Sequence, residues 1–194
     1  MKTKTKQAKK AVAAEPVRHV IDGRALVVAL RKAMIPSRFI RSEVKLDAFP
    51  WGARMKQWLD STFFECSRRG KSMYMSGASE HGLAACAMLT RSLVYRGHDA
   101  WFTTLSELMS LTEPLRPCEF LIIAGFWDGE FHKSKGCPLT VKEAYDLSWK
   151  LWRMANDGTT IVAHCSPSPG GASAWWANGA LEDVFERSEN LTIK

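Results

Sequence analysis

The sequence predicts an α/β domain built on a parallel sheet, and three observations carry that reading. From residue 70 onward, short apolar runs alternate with stretches of helical spacing. The run from Glu119 to Ala124 is apolar after its first residue, as suits a strand covered on both faces. Strands that are separated each time by a helix pair in parallel and bury both faces of their sheet. The expected architecture is therefore three layers, helix on sheet on helix.

Composition fits that frame. The chain has 194 residues, of which 46% are hydrophobic and 24% charged, enough to bury one sizeable core. No apolar run approaches the roughly 18 residues of a membrane span. The start of the chain is charged with no apolar segment behind it, so no secretory signal is expected. The five cysteines, Cys66, Cys86, Cys118, Cys137 and Cys165, are odd in number and contain no C-x-x-C pair. They read as small buried hydrophobes in a reduced, cytoplasmic setting; neither a disulfide framework nor a metal site is expected. The formal net charge is +7, and Lys2, Lys4, Lys6, Lys9 and Lys10 supply much of it. Without the first ten residues, 22 basic side chains face 20 acidic ones.

Three parts follow along the chain. Residues 1–18 are rich in Lys and Ala, lack sustained periodicity and read as a basic flexible tail. Such a tail either meets nucleic acid through those five lysines or serves as a solubilising extension. Residues 19–69 form a helical segment. Asp22 is placed to cap a helix running through Met34, with Leu26, Leu30 and Ala33 on one face and Ile35-Pro36 as its stop. A second helix follows Pro50, with Met55, Trp58, Leu59, Phe63 and Cys66 at helical spacing and Arg68-Arg69-Gly70 at its end.

Residues 70–194 hold the α/β core. Lys71 to Ser76 is the first strand, 77–82 a loop, and Leu83 to Tyr95 an alanine-rich helix ended by Arg96-Gly97. Ala100 to Thr103 is a strand, Ser106 to Leu111 a brief helix, and Glu119 to Ala124 the buried strand. Thr140 to Ala155 is a helix, Thr159 to His164 a strand, Ala172 to Phe185 a helix, and Leu191 to Ile193 a last edge. Trp51, Trp58, Trp149 and Trp152 fall beside helical apolar stripes and are expected in the core.

The loop at 77–82 stands where a phosphate-binding loop belongs, between the first strand and its helix. A working loop reads G-x-x-x-x-G-K-[ST], in which backbone N–H groups and the Lys hold phosphates and the hydroxyl holds magnesium. Gly77 and Gly82 have that spacing; Leu83 and Ala84 stand where Lys and Ser/Thr are needed. Around it run Met34-Ile35-Pro36-Ser37-Arg38-Phe39, Gly70-Lys71-Ser72-Met73-Tyr74-Met75-Ser76-Gly77 and Tyr95-Arg96-Gly97-His98-Asp99-Ala100-Trp101-Phe102. In their order these segments resemble the DnaC/DnaI/IstB family of AAA+ proteins, helicase loaders and transposition helpers, over about residues 30 to 193.

The resemblance implies an AAA+-like, P-loop NTPase-like sheet, here ending near its last strand without a helical lid domain. It also implies a replicative helicase as partner and single-stranded DNA, or duplex DNA in a transposition helper, as a second ligand. The chain departs from the family at each hydrolytic position. The acidic pair that should end the buried strand falls on Ala124 and Gly125, and the strand that should end in Ser-Asn ends in His164-Cys165. Losing one preorganised donor costs about 3–4 kcal/mol of transition-state stabilisation, and phosphoryl transfer rests almost wholly on such groups and on metal ions. The expectation is a pseudo-ATPase with no cofactor, acting as an adaptor, or else as a decoy of a helicase or its loader. Asp128 and Glu130 lie four or more residues beyond the family's acidic position, so they replace it only through a rearranged loop.

Other candidates concern binding. His164 and Cys165 do not form a nucleophile–base pair on one strand, because neighbours there point to opposite faces. Trp127, on a glycine-bounded loop, and the adjacent Trp175 and Trp176 are candidate partner contacts. Lys133 and Lys135, in a basic stretch, are candidate contacts to a phosphate backbone.

Overall fold

The computed structural model describes residues 23–41, 45–65, 72–77, 79–111, 115–127, 141–165 and 189–193. Five strands form one sheet: β1 Met73–Gly77, β2 Ala100–Thr104, β3 Phe120–Trp127, β4 Thr160–Cys165 and β5 Glu189–Ile193. Their order is β2-β3-β4-β1-β5, and every neighbouring pair is parallel. The predicted last edge is there, next to β1. Around the sheet lie α1 Gly23–Lys32, α2 Ser37–Ile40, α3 Gly52–Glu65, α4 Ser79–Tyr95, α5 Leu105–Ser110 and α6 Val141–Asn156, with a 3-10 turn at Leu46–Ala48.

Strand alternation divides the core into two layers. Met73, Met75, Phe102, Phe120, Ile122, Ala124 and Val162 point to one face, where Met55, Trp58 and Leu59 of α3 and Met88, Leu89 and Leu93 of α4 cover them. Tyr74, Leu121, Ile123, Ile161, Ala163 and Cys165 point to the other, under Leu105 and Leu108 of α5 and Leu147, Leu151 and Met154 of α6. Helices on both faces of a parallel sheet make this the three-layer αβα arrangement of P-loop NTPase-like folds. None of the described helices is long and apolar enough to cross a membrane.

Local chemistry sets the ends of these elements. The Thr104 hydroxyl accepts from the Glu107 N–H at 3.2 Å while the Glu107 carboxylate accepts from the Thr104 N–H at 2.8 Å, a capping box that turns β2 directly into α5. Both α4 and α6 close on a Schellman pair of bonds: His98 N–H to Leu93 O with Gly97 N–H to Val94 O, and Thr159 N–H to Met154 O with Gly158 N–H to Ala155 O. α1 stops at Lys32, earlier than the expected Met34, and Met34 takes a positive φ of 61° that ends the helix ahead of Pro36.

Three expectations change. The first helix of the core starts at Ser79 instead of Leu83, so one residue joins β1 to α4 and Gly82 is helical. The strand read as ending at Ala124 continues to Trp127, past an irregularity in its pairing with β4. Gly125 makes that possible: at φ 61° it bends the strand in a conformation other residues avoid. Lastly, Trp149 is 53% exposed and stacks on Trp152 at 4.8 Å between ring centroids, whereas Trp51 and Trp58 are buried as expected.

Candidate functional site

In an open parallel sheet, ligands gather at the carboxyl ends of the strands. Here those ends bring together Gly77 at the tip of β1, the first turn of α4, and His164 at the end of β4. Register fixes the arrangement, since Met75 pairs with His164 and Ser76 with Cys165. His164 is 1% exposed and its side chain lies over Gly82. A Cβ on residue 82 would collide with the imidazole ring, so only glycine admits this packing.

The ring also bonds to β1. His164 Nε2 lies 3.3 Å from the Gly77 carbonyl oxygen; because a carbonyl only accepts, Nε2 carries the proton of that contact. A histidine from β4 thus packs directly against the first turn of α4.

The neighbouring positions are apolar. Leu83 packs partly buried against the core, Ala84 is half-buried, Ala124 is buried, and Gly125 is the bend in β3. Among the described residues no group of three or more His, Cys, Asp or Glu side chains could hold a metal ion.

His164 and Cys165 diverge as strand geometry requires. Cys165 belongs to the core layer under α5 and α6, where it hydrogen-bonds the Tyr74 side chain. Burial first, and Cys165 second, raise the Tyr74 hydroxyl far above its ordinary value. Cys86 is wholly buried and its thiol is likewise raised by burial, while Cys118 is pushed up to about 11, mainly by burial. Neither the Cys86 nor the Cys118 thiol is therefore poised as a nucleophile.

Of the binding candidates, only Trp127 falls in a described segment. It ends β3 as a strand residue paired with Cys165, correcting its reading as a loop residue. Lys2, Lys4, Lys6, Lys9, Lys10, Asp128, Glu130, Lys133, Lys135, Trp175 and Trp176 lie outside the described residues. Sequence reasoning missed the pairing of Gly82 with His164, which joins positions far apart in the chain. It also missed Trp149, whose place two residues beyond Leu147 turns it about 200° from the buried stripe. Neither protein-family models nor curated proteins match the chain.

Proposed function

We propose that this chain is a non-hydrolysing accessory protein of DNA replication, similar to the DnaC/DnaI/IstB helicase loaders. It works by binding a replicative helicase, with DNA as a second ligand. The observation that carries this reading is the seating of His164 against Gly82 at the strand tips. A ring placed there competes with any phosphate for the first turn of α4. Leu83 and Ala84 then offer neither the cation nor the magnesium-binding hydroxyl, and Ala124 and Gly125 offer no carboxylate. The three-layer parallel sheet supports the relation to P-loop NTPases; Trp127, Trp175 and Trp176 are the proposed partner contacts.

The test has two parts. The pure protein with Mg-ATP is expected to release no phosphate above a protein-free blank, and to retain the replicative helicase of its own host in a pull-down. Phosphate release that follows the protein through purification overturns the first half. A helicase that passes through unretained overturns the second. In a helicase-loading assay, stimulation assigns the adaptor role and suppression the decoy role, while filament formation on duplex DNA without helicase contact assigns the transposition-helper role.

A further inference from the structure

Charge is divided along this chain far more sharply than its net value suggests. Residues 1–69 hold 16 basic and 6 acidic side chains, whereas 70–194 hold 11 and 14. The helical segment and tail therefore carry +10, and the α/β core carries −3. Within the segment the division is complete over one folded stretch: residues 23–41 contain Arg24, Arg31, Lys32, Arg38 and Arg41 and no acidic residue.

All five cations are exposed. Among the described residues none of the five is in an ion pair. In α1 the buried side is formed by Leu30 and, just beyond the helix, Ala33, with Leu26 and Ala29 packed beside them. At 100° per residue, Arg24, Val28, Arg31 and Lys32 fall on the opposite side. α2 turns Phe39 and Ile40 toward the core and leaves Arg38 and Arg41 outside.

The support under these cations is fixed. The Ala33 carbonyl accepts from the Phe102 N–H of β2 at 2.8 Å, and the Phe39 carbonyl accepts from Arg91 Nη1 of α4 at 3.0 Å. A solvated face normally mixes charges at i,i+4 spacing to support its helix. Here like charges accumulate on two packed helices, at a cost that a polyanion would offset.

We infer that the outward face of α1 and α2 is a docking surface for the phosphate backbone of nucleic acid. Two ligand classes compete for such a face, and packing decides between them. A helix that lies on an anionic membrane inserts an apolar face, but the apolar side of α1 is already spent in the core. What remains outside is Val27, Val28 and Met34, scattered among cations. Nucleic acid needs only the charges. The inference shares DNA with the function proposed above but uses no residue of the strand tips.

The full-length chain and a labelled oligothymidylate test it, with anisotropy followed between about 50 and 200 mM salt. One variant changes Arg24, Arg31, Lys32, Arg38 and Arg41 to Gln. It is expected to bind about tenfold or more weakly, and to lower the slope of log affinity against log salt by about 3 to 4. A companion variant with the four arginines changed to Lys keeps the charge and should bind as the parent does, which separates charge from folding. An unchanged slope in the Gln variant overturns the inference. So does binding lost only when Lys2, Lys4, Lys6, Lys9 and Lys10 are changed to Gln, or attachment of the parent to phosphatidylcholine–phosphatidylserine vesicles but not to the oligonucleotide. DNA binding without helicase retention leaves this surface standing and removes the loader-like reading; retention without DNA binding does the reverse.

Discussion

The two ends of the sheet are built from opposite materials. At the amino ends of β2 and β3, Arg116 holds Asp99 through two bonds of 2.9 and 3.0 Å. Beside them His98 Nδ1 meets the Glu119 carboxylate at 2.9 Å, and the same carboxylate accepts from the Asp99 N–H. At the carboxyl ends, where a parallel sheet ordinarily collects charge for a ligand, lie a buried glycine, a buried imidazole, Ala124 and Leu83. Among the described residues, this cluster of charged side chains secures the chain at the end away from the strand tips. Where β4 meets the first turn of α4, the glycine and the imidazole are packed as core.

That contrast can be broken experimentally, and the largest effect is expected at Gly82. Gly82→Ala forces a methyl group into the His164 ring and should cost about 3 kcal/mol in urea denaturation. Adding His164→Ala makes room, so the double variant should recover more than 1 kcal/mol of the expected sum. A neutral Gly82→Ala would show that the tip is not close-packed.

The second test uses Cys118, which lies near Arg116 at the charged end. Its thiol is pushed from 9.0 up to about 11, by burial first, then lowered by Arg116 and raised by Asp99 and Glu119. Iodoacetamide should alkylate it about a hundredfold more slowly at neutral pH than a free thiol, with the rate climbing until pH is near 11. The sign for stability follows: below pH 9 the thiol is protonated folded or unfolded. Between about 9 and about 11 only the unfolded chain ionises, so stability falls across that window.

Smaller effects sharpen the contrast. Thr104→Ala removes the capping box at the tip of β2 and should cost about 1 kcal/mol by thermal denaturation. Arg116→Ala should cost less than about 1 kcal/mol and lose that effect at high salt, because both members of the pair are partly exposed. If Arg116→Ala proves costlier than Gly82→Ala, the two ends have been read in the wrong order.

How much of this was legible depends on the range of the contact. The buried run of β3, the alternation of strands with helices and the edge at β5 follow from local pattern, and all are present. The start of α4 does not. Two glycines at loop spacing look alike whether the chain between them cradles a ligand or has already entered a helix. What separates the cases is the ring of His164, which only the pairing of β1 with β4 brings near. Gly125 misled for a related reason, since a glycine that bends a strand and one that ends it differ only in what the partner strand does next. Trp149 is a different matter: counting from Leu147, Leu151 and Met154 already sets it off their stripe. The basic face of α1 and α2 was likewise open to counting, once the tail was no longer taken as the main seat of charge.

The outer border of β2 is a place where a foreign strand would ordinarily attach. The Phe102 N–H on that border is given to Ala33, so the turn behind α1 works as a latch. One and the same carbonyl thus ties the turn behind the first helix to the sheet and occupies a donor on its outer border. A strand added at this border would have to take the Phe102 N–H from that carbonyl.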